Sequence, residues 1–269
     1  MKTTIARSIR AALDTAEPME KVKAARRVAR EWRLGRIQPV FDVMMPDRPA
    51  RPAHPLLLPP REMPRRRGGS AQARVAMVHA LAHIEFVAID LALDLAGRFG
   101  ADQPPQFVSD FLAIAADEAM HFALLERRLN ALGSTYGAYP AHDGLWEAAE
   151  ATTDDLLARL AIVPMVLEAR GLDVCPATME RFRSLGDETT ARIVNRILAD
   201  EIRHVAAGSK WFTALCHEQN LNPVTHWQEL VTARFRGILK PPFNDSARES
   251  AGLTRDYYQQ LASRDGLPQ

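Results

Sequence analysis

The chain has only two cysteines in 269 residues, Cys175 and Cys216. That is too few for a disulfide framework, and a reducing, cytoplasmic setting is the natural reading. No apolar run reaches the roughly 18 residues that a membrane-spanning helix needs, because His, Glu or Asp interrupts the longest stretches. Met1–Arg10 carries Lys2, Arg7 and Arg10 with no apolar segment behind them, which excludes a signal peptide. The alternation that marks strands is almost absent. With 47% apolar and 25% charged residues, what remains is an ordinary soluble globular protein, all-α in class.

Acidic residues are scarce at one end. Residues 1–70 hold 16 Lys/Arg against 7 Asp/Glu, a net +9, while the rest holds 18 against 26, a net −8. Such asymmetry suits a basic arm for an anionic partner. The simpler reading is a basic segment packed on the acidic body of its own chain. Arg61, Arg65, Arg66 and Arg67 could grip phosphates, but no aromatic residues interleave them.

Three zones follow from periodicity and helix breakers. Residues 1–70 are an arm of two short helices, broken at Glu17-Pro18, and then a strap. Val22, Ala25, Ala29 and Trp32 recur at helical spacing in the second helix. Eight of the 18 prolines lie between Pro39 and Pro64, which prevents helix in the strap. Residues 71–219 read as four long helices: 71–99, 105–132 ending at Gly133, 145–172 and 187–219, with a shorter helix at 177–185. Residues 220–269 form a tail with a helical piece near Trp227–Phe235. Pro164 inside the third long helix should kink or bulge it.

The chemistry sits in a repeated word. Asp117-Glu118-Ala119-Met120-His121 and Asp200-Glu201-Ile202-Arg203-His204 are 83 positions apart, and each follows an alanine. Each also has a glutamate 33 residues ahead of its own, Glu85 and Glu168, with Asp90 and Asp173 at matching positions beyond. One Glu-x-x-His is weak evidence, since 16 Glu and 8 His produce roughly 0.5 by composition. Two copies with matching surroundings are far more specific.

Residues i and i+3 share a helix face, so Glu118 points with His121 and Glu201 with His204. In each helix the glutamate interrupts the stripe that must face the core. A buried carboxylate without a partner costs several kcal/mol or gives up its charge. Two divalent ions would balance four carboxylates, and mixed imidazole and carboxylate ligands suit Fe or Mn rather than Ca. The metal set is therefore Glu85, Glu118, His121, Glu168, Glu201 and His204. His79 and His83 fall about 120° and 160° from the Glu85 face and read as outward or inter-helix residues. His142 reads as a helix-start residue, and Tyr136 and Tyr139 as loop phenols that pack or take part in redox chemistry.

This pattern resembles the ligand motif of the ferritin-like di-iron carboxylate superfamily. The resemblance implies a ferritin-like four-helix bundle over residues 71–219. It also implies that Asp117 and Asp200 orient metal-bound imidazoles and that Arg203 braces Asp200; Met120 stands where the other half would carry an arginine. The whole chain looks like an uncharacterised bacterial ferritin-like family, which implies the fold and not the substrate. A looser likeness joins it to tRNA-hydroxylating di-iron enzymes. The leading expectation is an oxidoreductase whose two Fe ions activate O₂ to oxidise or hydroxylate an unidentified substrate. A tRNA-modifying hydroxylase, a ferroxidase and a dimanganese enzyme acting on peroxide are the alternatives. Substrate, electron donor and oligomeric state stay open, a homodimer included.

Overall fold

The computed structural model describes residues 3–63 and 70–264, and every regular element among them is helical. The chain divides into two compact units, Met1–Trp146 and Glu147–Gln269. The arginine run at 65–67 lies outside the described residues.

The first unit holds α1 (Ile5–Leu13), α2 (Pro18–Arg33), α3 (Ala71–Phe99) and α4 (Pro105–Ala131). Local chemistry sets their ends. Thr4 and Ser70 cap α1 and α3 by accepting backbone N–H groups. Pro18 and Pro105 occupy first-turn positions where no N–H is missed. Gly133, at φ +76°, supplies the left-handed residue that stops α4. Between α2 and α3 the Pro-rich strap runs without helix until one 3₁₀ turn, Pro60–Glu62. It presses so closely on α3 that a Cβ at Gly97 would fall 2.4 Å from Met45 Sδ. Ala71–Asp102 is long and apolar enough to cross a membrane, but most of its apolar surface is buried inside the protein.

The basic arm is held by the body of its own unit. Lys21 on α2 is fully buried, with its ammonium 2.5 Å from Asp90 of α3 and near the Leu13 and Ala50 carbonyls. Arg51 of the strap takes the other Asp90 oxygen at 2.6 Å. Burial pulls the Lys21 pKa below its ordinary value, although the Asp90 charge opposes the shift. Arg98 binds Asp94 and the Pro46 carbonyl, and Arg48 binds Asp143.

The boundary between the units falls within α5 (Gly144–Glu150). The second unit then continues with α6 (Leu156–Ile162), a π-helical segment (Val163–Glu168), α7 (Ala169–Ser184), α8 (Glu188–Glu218), α9 (Pro223–Arg234), α10 (Asp245–Ser250) and α11 (Arg255–Arg264). This corrects the continuous helix expected over 145–172. The chain turns at 151–155, where Asp155 caps α6 and buried Arg159 reaches back to Thr152 and the Ala149 carbonyl. The separate helix expected at 177–185 is likewise the end of α7, which runs through Pro176. Proline cannot donate to the carbonyl four residues earlier, that of Leu172. Asn244 Nδ2 donates to it instead, at 3.1 Å. The tail carries α10 and α11 besides the expected helix.

The bulge expected at Pro164 is the π segment. Its ring packs on α8 at Gly208, where a Cβ would lie 2.4 Å from Pro164 Cβ. Asp173 mirrors Asp90: Arg248 of α10, itself buried, forks onto both Asp173 oxygens at 2.8 and 2.7 Å. In each unit, then, the aspartate five residues past the candidate ligand glutamate receives a cation from outside the long helices.

Asp90→Ala would leave Lys21 buried and uncompensated, and should cost about 3–5 kcal/mol of unfolding free energy. Lys21→Met should cost less, since Arg51 still neutralises Asp90; the reverse order in denaturant titrations would contradict this reading. Gly208→Ala should cost about 1–3 kcal/mol by overpacking against Pro164. Adding Pro164→Ala removes the Cγ contact at 2.5 Å but keeps the Cβ contact at 2.4 Å, and should recover only part of that loss.

Candidate metal centre

In the first unit, α3 and α4 bring Glu85, Glu118 and His121 together. The three are 4%, 1% and 0% exposed, and one ligand atom from each lies within 4.8 Å of the others. His121 Nδ1 is 3.1 Å from Glu85 Oε2 and 3.3 Å from Glu118 Oε2. These separations suit hydrogen bonding to a protonated imidazole. They also suit neighbouring ligands on one metal, since bonds of about 2.1 Å at right angles put donors about 3 Å apart. A buried pair of carboxylates with an imidazole fits a divalent ion of borderline softness.

Burial opposes a charge on His121, but hydrogen bonds and charge from Glu118 and Glu85 outweigh it and push the imidazole up to about 11. Without a metal, a proton supplies the positive charge that the two carboxylates require.

The second unit arranges the matching residues less tightly. His204 Nδ1 lies 3.7 Å from Glu201 Oε1, and both residues are buried. Glu168 is half-buried and ends the π segment. Glu201 packs over α7, with its Cγ 3.8 Å from where a Cβ on Gly171 would stand. Among the described residues, these three alone do not form a group as close as Glu85, Glu118 and His121. In both halves it is Nδ1 that faces the neighbouring glutamate.

Arg203 binds Asp200 as the resemblance implied, and Arg196 adds a second contact at 2.6 Å that the sequence reading missed. Arg196 stands one turn before Asp200, so i,i+4 spacing was the available signal. Asp117 is half-buried on α4.

Of the two readings for His79 and His83, outward or inter-helix, the outward one is corrected: both are buried. They underlie the loop after α4. His79 accepts from the Gly137 N–H at 2.9 Å and stacks on Tyr136. His83 Nε2 is 3.1 Å from the His142 carbonyl, so that nitrogen donates, and Nδ1 then accepts the Tyr136 hydroxyl at 2.9 Å. Burial lowers His83 to about 4, leaving it neutral near pH 7. With both ring nitrogens engaged, His83 has no lone pair for a metal. His142 Nδ1 accepts the Gly144 N–H, consistent with its expected place at a helix start. Tyr136 packs among Phe86, Phe122 and the two histidines. Cys175 and Cys216 are buried free thiols.

A family model described as a protein of unknown function, DUF455, matches residues 14–259. An uncharacterized protein of Haemophilus influenzae is 37% identical over 258 residues, covering 92% of this chain and 90% of that protein. No solved structure matches.

The raised His121 pKa gives a pH signature for the metal-free protein. Below His121's ordinary value of 6.5, folded and unfolded chains both hold the proton and the stabilisation is complete. As pH rises toward about 11, only the folded chain keeps it, and the contribution shrinks until it is lost. Unfolding of metal-free protein should therefore become easier across this window. His121→Gln should flatten the trend, and an equal slope in that variant would contradict it.

Proposed function

We propose, for a chain that belongs to the DUF455 family, that Glu85, Glu118 and His121 together with Glu168, Glu201 and His204 hold two divalent metal ions. In this reading the helix pair α3/α4 and its sequence repeat, α6–α7/α8, make up a ferritin-like four-helix bundle. The loaded protein is an oxidoreductase that uses O₂ on an organic substrate. The observation that supports it most is the close, buried approach of Glu85, Glu118 and His121, in a motif that the sequence writes twice at equal spacing.

Glu85 and Glu118 supply charge, and the Nδ1 atoms of His121 and His204 supply neutral donors once deprotonated. Asp200, held by Arg196 and Arg203, stands fixed in position beside Glu201. Phe122, next to His121, packs on Phe86 and helps exclude water. When bound, iron provides the electrons and open coordination that dioxygen chemistry needs, which no side chain here can supply. The arm and tail add 120 residues to the 149 of residues 71–219, an addition that a plain iron-storage bundle does not need.

Reconstitution with Fe(II) or Mn(II) followed by elemental analysis should give about two ions per chain. Glu118→Ala with His121→Ala should lose metal while circular dichroism stays helical. Fewer than about one ion per chain would overturn the metal assignment. Full loading with no O₂ uptake by the reduced iron form would instead keep the site and overturn the oxidase reading.

A further inference from the structure

Ion pairing separates the cations of the arm into two groups. Among the described residues up to 63, Arg7, Arg10, Lys21, Lys23, Arg30, Arg36, Arg48, Arg51 and Arg61 each have an acidic partner within 4.0 Å. Arg26, Arg27 and Arg33 have no acidic partner among the described residues. All three are exposed, and all three lie on α2 along one groove.

That groove, of about 860 Å³, lies between α2 and α4 within the first unit. Lys23 and Arg30 also line it, and their acidic neighbours Glu20 and Glu31 are solvent-side pairs that hold little energy. Five cations therefore face one trough, against a single acid, Asp117. Its α4 side is mostly small or apolar: Ser109, Leu112, Ala113 and Ala116. Half-buried Trp32 borders it, fixed by an indole N–H bond of 2.9 Å to Ser109 Oγ.

We infer that this groove binds the phosphodiester backbone of a single-stranded nucleic acid. Lys23 to Arg33 spans about 15 Å of helix at 1.5 Å per residue. That length faces several phosphates of a strand, and cations in a row neutralise them by releasing counterions. Concavity and small residues let a strand approach closely, and the Trp32 ring offers a surface for a base. A flat anionic membrane would meet a convex face with exposed apolar side chains rather than a trough. The inference goes beyond the metal reading and does not depend on it, because binding here requires no metal.

Fluorescence anisotropy of labelled oligouridine and oligothymidine with the full, metal-free chain tests it, alongside flotation with phosphatidylglycerol vesicles. Binding of either oligonucleotide should weaken with salt. The triple variant Arg26→Gln/Arg27→Gln/Arg33→Gln should lose at least about tenfold in affinity at low salt, and its slope of log affinity on log salt should fall by about two. The control Arg36→Gln/Arg61→Gln, outside the groove, should bind like the parent, with circular dichroism confirming both folds. Absence of oligonucleotide binding, binding unchanged in the triple variant, or capture by vesicles alone would overturn the inference.

Discussion

Two carboxylates and one imidazole share a buried space where charge must be balanced. Glu85 and Glu118 both approach the same nitrogen of His121, and all three are nearly or wholly removed from water. In the metal-free protein a proton does the balancing. A divalent ion held by Glu85, Glu118 and His121 would balance both carboxylates and leave the imidazole neutral as a ligand. Helices α3 and α4 hold these groups at that separation.

The arm and tail belong to that support. Asp90 and Asp173 occupy equivalent places in the sequence repeat, five residues beyond Glu85 and Glu168. Lys21 and Arg51 neutralise the first, and Arg248 the second. Each cation comes from chain outside the repeated helices, so the segments flanking the repeat are tied to it by buried charge rather than by apolar packing alone. Pro176 adds another dependence in the second unit: its helix continues because the tail's Asn244 takes the carbonyl that proline leaves open.

The sequence disclosed the parts of this design that are local. The ends of α4 were legible from Pro105 and Gly133, and the meeting of Glu85, Glu118 and His121 from the doubled motif. The bulge at Pro164 followed from the missing N–H. The break at 151–155 was missed because the apolar pattern runs through it, although Asp155 before Leu156 was a readable cap. Continuation through Pro176, the buried cations on Asp90 and Asp173, and the burial of His79 and His83 depend on groups 39 to 75 residues away. Spacing along a chain does not reveal such contacts. The net +9 of residues 1–70 was also ambiguous in sequence: the buried pairs account for part of it, the α2 groove holds Arg26, Arg27 and Arg33, and Lys2 and the run at 65–67 lie outside the described residues.

Anomalous X-ray scattering from crystals grown with Fe(II) or Mn(II) tests the central claim most directly, because it locates metal without reference to activity. The account predicts two peaks, one bonded by His121 Nδ1 and Glu118 and one by His204 Nδ1 and Glu201. Crystals with no peak at either histidine, or with metal held only by surface residues, would contradict it.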